Sequence, residues 1–152
     1  MLPFSLTNSA GVGELQKMGA LYTLYIQTEG HIQMLDITAE VQHLASECRI
    51  TSGICVLFLP HTTAGLLISE KRDPYLAVDF TKAIHELTGE ESAYRNLEGN
   101  FAAHLSSALT GVSLTIPVED GRLALGIWQS IYLMEFDGSR KRKVLVKFME
   151  DV

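Results

Sequence analysis

The chain has 152 residues, is 47% hydrophobic, and sets 12 basic against 18 acidic residues for a formal charge of -6. That length closes one hydrophobic core, so a single domain is expected, and the acidic balance disfavours attraction to nucleic acid or an anionic membrane while leaving a small phosphate free to bind locally. Two cysteines, Cys48 and Cys55, read as reduced thiols. Neither a signal-like opening nor an apolar run approaching about eighteen residues is present, which points to a cytoplasmic protein without membrane or nucleic-acid partners.

Residues 1–20, rich in Gly, Ser and Asn, read as a loosely ordered lead-in, and the domain spans 21–152. Leu21–Thr28 is β-branched and aromatic enough for a strand. Glu29-Gly30-His31 then reads as the turn of a hairpin into a second strand, Ile32–Ile37. Thr38 is a candidate N-cap, and Val41, Leu44, Ala45 and Cys48 recur at helical spacing behind it. Gly53–Leu59 is apolar at nearly every position, as a central strand covered on both faces would be.

After Pro60-His61-Thr62-Thr63 the strand pattern resumes over Ala64–Ile68 and delivers Ser69 and Glu70 at its end. Asp73 and Pro74 predict the start of a second helix, with Leu76, Phe80, Ala83, Ile84 and Leu87 as its apolar stripe and Gly89 as its stop. A polar loop follows. Asn100 then caps a third predicted helix that ends at Gly111. The remainder, Val112–Val118, Arg122–Leu125, Ile127–Phe136 and Lys143–Phe148, reads as an antiparallel meander. Strands and helices come in clumps here, so the fold class is α+β, an antiparallel β-sandwich with about three helices.

Several polar side chains interrupt these apolar elements. Pro60-His61-Thr62-Thr63 breaks a strand where the backbone leaves the core, a common place for binding residues. Read singly, His61 is more often an edge histidine beside ordinary strand threonines. Asn100 and His104 stand at i and i+4 on one helical face, although a capping Asn next to a partly exposed His gives the same spacing. Gln129 interrupts an apolar strand next to the only Trp, Trp128. A buried amide there must find partners, and the indole can wall a ligand or fill core. Glu70 and Asp79 read first as solvated carboxylates. The cluster Arg140–Lys143 reads as a solvated turn protecting a sheet edge, with phosphate contact as the lesser alternative. No Walker loop, Gly-x-Gly-x-x-Gly, His-Glu-x-x-His or Cys-x-x-Cys is present.

Taken in order, His61-Thr-Thr-Ala-Gly65, Glu70 with Asp73-Pro74 and Asp79, Glu98-Gly-Asn100 with Ala103-His104, Ile116-Pro117-Val118 with Asp120-Gly121, Gly126-x-Trp-Gln129 and Glu135-Phe-Asp137 resemble the YjbQ-like, UPF0047 family. Some members of that family are described as secondary thiamine-phosphate synthases. The resemblance implies packed antiparallel sheets with a few helices and a homotrimer. It also implies catalytic roles for His61, Glu70 and His104, and binding of a small phosphorylated molecule by Thr62, Thr63, Asn100, Trp128 and Gln129. A divalent metal, zinc or magnesium, would be held by His61 and His104. Asn96 stands where the family commonly supplies a third imidazole, and a carboxamide there is a weaker nitrogen site for zinc. Ser69 and Ile127 are smaller departures.

The implied reaction joins hydroxymethylpyrimidine diphosphate to thiazole phosphate with release of pyrophosphate. Two other functions share these residues. One is metal-assisted hydrolysis of a small phosphate or amide, and the other is a non-catalytic trimeric module binding a small molecule or a metal.

Overall fold

A computed structural model describes residues 12–18, 21–71, 73, 75–89, 95 and 99–151. The strands are β1 (Val12–Met18), β2 (Leu21–Gln27), β3 (Gln33–Asp36), β4 (Ser52–Phe58), β5 (Ala64–Glu70), β6 (Ser113–Glu119), β7 (Arg122–Leu123), β8 (Gln129–Glu135) and β9 (Lys141–Glu150). The helices are α1 (Thr38–Cys48), α2 (Leu76–Thr88) and α3 (Phe101–Thr110). Six strands form one sheet in the order β1-β2-β9-β4-β6-β7, and three form another in the order β3-β8-β5. Every pairing is antiparallel, so the expected α+β class with two antiparallel sheets and three helices among the described residues is what the chain adopts.

Alternation decides which face of each strand is buried. Tyr22, Leu24 and Ile26 of β2, Cys55 and Leu57 of β4, Ile116 and Val118 of β6, and Val144 and Val146 of β9 point to one side of the large sheet. There they meet Leu35, Leu66, Ile131, Leu133 and the Val41, Leu44 and Ala45 stripe of α1. Burying each such aliphatic side chain contributes roughly 1.5–3 kcal/mol. The far face of the small sheet is covered by α2 and α3 through Ile84, Ala103, Met134 and Phe136. The layers therefore run large sheet, then small sheet with α1, then α2 with α3.

Partner choice departs from the sequence reading in several places. β2 and β3 do not form a hairpin, since β2 pairs with β1 and β9 while β3 pairs with β8 in the other sheet. The Thr28–Ile32 connection crosses between layers instead. The C-terminal meander is likewise broken: β6 and β7 pair, but β8 passes to the small sheet and β9 returns between β2 and β4. Because β8 lies between two strands and two layers, it is the strand buried on both faces. β4 is central in its sheet, as expected, yet its second face is only half-buried at Ile54 and Val56.

Val12–Met18 of the expected lead-in forms an edge strand on β2, whereas 1–11 and 19–20 lie outside the described residues. α2 begins at Leu76, two residues after the predicted start. Asp73 Oδ1 accepts the Tyr75 N–H at 2.8 Å, which holds a turn ahead of the helix rather than capping it. Leu87 and Ala83 of the predicted stripe are exposed, and Pro74 lies outside the described residues.

Candidate functional site

The segment Leu59–Thr63 carries the chain from the large sheet to the small one. Leu59 N–H donates to Val112 O at 2.8 Å and His61 N–H donates back to Leu59 O at 2.9 Å, so the backbone bends sharply at Pro60. The bend leaves His61 half-buried and Thr62 exposed. Thr63 turns inward to 6% exposure. His61 Nε2 accepts the Lys143 N–H at 3.0 Å.

α3 closes the other side of this bend because two small residues allow it to approach. Ser107 Oγ donates to Ala64 O at 2.6 Å, and Gly65 lies so close to α3 that an added Cβ would stand 2.0 Å from Thr110 Oγ1. Between α3 and the Phe58–Thr62 segment lies a cleft of about 490 Å³ whose walls include His61, Thr62 and His104. The two histidines singled out in the sequence thus share one cavity. Asn100 occupies the cap position of α3 without a side-chain cap bond; its Nδ2 donates to Asp137 Oδ2 at 3.0 Å, and the same oxygen meets Arg140 Nη2 at 2.8 Å. The expected capping role gives way to a tie between α3 and the β8–β9 connection.

Beneath the bend is a buried ion pair that the sequence reading missed. Glu135 is 0% and Arg142 is 3% exposed. Arg142 Nε–H donates to Glu135 Oε2 at 2.7 Å, and its Nη2 donates to Glu135 Oε1. Nη2 also reaches Thr63 Oγ1 at 2.8 Å and Thr63 O at 3.1 Å. Thr63 is therefore an anchor for the loop bearing His61.

Burial pushes the Glu135 carboxyl up. The Arg142 hydrogen bonds, the Asp137 N–H, the Arg142 charge and the Thr28 hydroxyl outweigh that and hold it below its ordinary range. Arg140–Lys143 is not a solvated edge turn, because β9 is an interior strand and Arg142 faces the core. The alternation of Arg142 with Val144 and Val146 on one face, and of Lys141 with Lys143 on the other, is the signal that could have found it.

Glu70, Trp128 and Gln129 lie elsewhere. β5 has seven residues, with Ala64 opposite Glu135 at one end and Glu70 opposite Gln129 at the other. At about 3.3 Å per residue the two ends stand roughly 20 Å apart. Glu70, Trp128 and Gln129 wall a shallow concavity of about 380 Å³. Next to it is a larger one of about 650 Å³ lined by Asp36, Glu40, Lys71 and Gln129 among others. Gln129 is exposed, not buried, and its Oε1 accepts the Gly126 N–H at 2.8 Å, so the amide closes its own turn. Trp128 is 44% exposed. The residues to which the resemblance assigns catalysis and binding thus fall in two regions of one chain.

The donor set does not fit the expected metal. Among the described residues no three His, Cys, Asp or Glu side chains converge, and Asn96 lies outside them. The Nε2 lone pair of His61 is already given to Lys143 N–H.

Comparisons with known proteins bear on the whole domain. The family model described as "UPF0047 protein YjbQ-like" matches residues 22–151. The UPF0047 protein YugU of Bacillus subtilis is 45% identical over 130 residues, 85% of this chain and 98% of that protein. A UPF0047 protein of Methanocaldococcus jannaschii is 39% identical, over 86% of this chain and 95% of its own. Among solved structures, an uncharacterized conserved protein of the yjbq/upf0047 family from Clostridium acetobutylicum superposes with a TM-score of 0.79 at 39% identity, covering 84% of this chain and 98% of that one. A hypothetical protein from Aeropyrum pernix gives 0.82 at 34% identity, covering 86% and 98%. With a family model over residues 22–151, relatives at 45% and 39% identity and nearly full-length matches in agreement, the chain belongs to the YjbQ-like, UPF0047 family.

Proposed function

We propose that the cleft walled by His61 and His104 binds the phosphate of a small phosphorylated molecule, and that its chemistry is a secondary thiamine-phosphate-synthase-like transfer. One observation carries the anion site. Burial lowers the pKa of His61, and of the charges around it Arg142, Lys143 and Arg140 lower it further while Glu135 alone opposes them. Burial, the largest of these causes, disfavours charge of either sign; the part that favours an anion is the excess of nearby cations, Arg142, Lys143 and Arg140, over Glu135. The chain's net charge of -6 makes this local reversal of sign selective for a small ligand over a polyanion.

In the proposed transfer the thiazole nitrogen attacks the pyrimidine methylene carbon, a C–N bond forms, and the C–O bond to the diphosphate breaks with both electrons leaving on pyrophosphate. The cations behind His61 would stabilise that developing charge where water is partly excluded. A homotrimer belongs to the same proposal. What supports it is the separation of roughly 20 Å along β5: a neighbouring copy can set the Glu70, Trp128 and Gln129 end of one chain beside the His61 cleft of another. A cytoplasmic setting suits the free thiols of Cys48 and Cys55.

Chromatographic detection of thiamine phosphate from the two precursors tests the activity, and light scattering tests the trimer. No product with Mg²⁺, Mn²⁺ or Zn²⁺ supplied removes the transferase. Calorimetric binding of pyrophosphate without turnover would then leave a binding module, a reading favoured by the use of His61 as a structural acceptor.

A further inference from the structure

β9 is paired with β4 as far as Phe58 opposite Leu145. Carried on, that register would set Pro60 opposite Lys143, but the chain has already bent away through the Leu59 and His61 bonds. Lys143, paired with Tyr25 of β2 on one side, has no β4 residue on the other, and its N–H faces the bend. The His61 side chain fills that place, with Nε2 at 3.0 Å from the Lys143 nitrogen.

A backbone N–H can only donate. Nε2 must therefore present its lone pair, and the single proton of a neutral imidazole has to sit on Nδ1. A doubly protonated ring would set one N–H against another and lose the bond.

The geometry points to His61 as a neutral Nδ1–H tautomer that donates a hydrogen bond to a phosphate oxygen in the cleft, closed by the fold to service as a metal ligand or a general base. Metal binding and proton abstraction both require a lone pair on the ring. His61 has one, and Lys143 N–H occupies it. Among the described residues no hydrogen bond is made from Nδ1, and His61 is one of the residues that line the cleft. A metal reading would need Nε2 released and the Lys143 N–H given to water. The donor reading needs no rearrangement. The tautomer rests on the Lys143 bond alone, whereas the identity of the ligand rests on the anion site proposed above.

Long-range proton–nitrogen correlation spectra of ¹⁵N-labelled protein, assigned with a His61→Gln variant, decide the matter. The expected result is an imidazole protonated at Nδ1 and bare at Nε2 at neutral pH, unmoved by one equivalent of Zn²⁺ and shifted at Nδ1 by pyrophosphate. A proton on Nε2, or a zinc-induced shift at His61, overturns the assignment. Calorimetry with pyrophosphate supplies the second arm. His61→Gln can accept from Lys143 through Oε1 and still donate, and should keep the wild-type affinity to within about threefold; His61→Leu should lose about tenfold or more, as expected for a hydrogen bond to a charged group. Pyrophosphate that binds wild type without moving Nδ1 refutes the donor role and leaves the anion site standing. Failure of pyrophosphate to bind wild type at all refutes the anion site and the donor role with it, and leaves the tautomer to be decided by the spectra.

Discussion

Glu135→Gln keeps the shape of the buried side chain and removes its charge. The carboxylate accepts five hydrogen bonds, from Thr28 Oγ1, Phe136 N, Asp137 N, and Arg142 Nε and Nη2. An amide can satisfy most of them. Placed at the Oε2 position, the NH₂ group lets Thr28 switch to accepting but opposes Arg142 Nε–H; placed at Oε1 it would oppose three donors. In either orientation Arg142, 3% exposed, keeps its charge and loses its counter-ion. Breaking one side of such a pair costs about 3–5 kcal/mol, out of a total stability on the order of 5–15 kcal/mol.

With a urea slope of about 2 kcal/mol/M, the unfolding midpoint should fall by roughly 1.5–2.5 M at pH 7 and fixed protein concentration. The Glu135→Leu, Arg142→Leu double variant removes both charges and should recover part of that loss, the Phe136 and Asp137 N–H groups being left without their acceptor. The pH dependence has a definite sign. The folded-state pKa of Glu135 lies below its ordinary 4.5, so the stability it contributes is complete above that value and fades as pH falls through the lowered one. The gap between wild type and Glu135→Gln should therefore narrow under acid. A midpoint shift under about 0.5 M, with an unchanged slope, would show that the pair is not the support proposed.

Two other substitutions probe the surroundings of the clefts. Gly65→Ala would put a Cβ 2.0 Å from Thr110 Oγ1 and 2.9 Å from Thr110 Cβ; pushing α3 off β5 should cost about 1–3 kcal/mol in chemical denaturation and weaken pyrophosphate binding, and wild-type behaviour in both assays would refute the close approach. Glu40 is 9% exposed and its Oε2 has no partner among the described residues. Burial raises its pKa, its own N–H pulls it back, and Asp36 raises it further. A raised carboxyl pKa adds stability only while protonated and loses it as pH rises, so Glu40→Gln should raise the melting temperature at pH 7 and have little effect near pH 4. A lower melting temperature at pH 7 would contradict this.

Local structure was legible where a residue's effect is local. The alternation of β2, the helical spacing of α1 and the stop at Gly89 follow from steric and burial rules acting within a few residues. Partners were not legible, because a strand pattern states which face is buried and leaves its neighbour open. Hence the β2–β3 hairpin was expected where Thr28 in fact locks a crossing between layers, its hydroxyl donating to Glu135.

The site followed the same division. His61 and His104 come together because bend and helix meet at one end of β5, and Glu70 and Gln129 fall at the other because a strand is long. Sequence proximity of His61 to Glu70 concealed that distance. Arg142 was visible all along in the inward phase of β9, masked by the charges beside it.

The position of β9 also sets an order of events during synthesis. It follows every other strand in the chain, yet it lies between β2 and β4 in the large sheet. Until it emerges from the ribosome, the β1–β2 pair and the β4–β6–β7 group have no shared neighbour, and each presents an unpaired, apolar edge. The two groups are zipped together by a single late segment at long sequence separation, a connectivity that slows folding and exposes intermediates to mispairing. Nascent chains stalled before Lys141 should therefore be the species that chaperones hold.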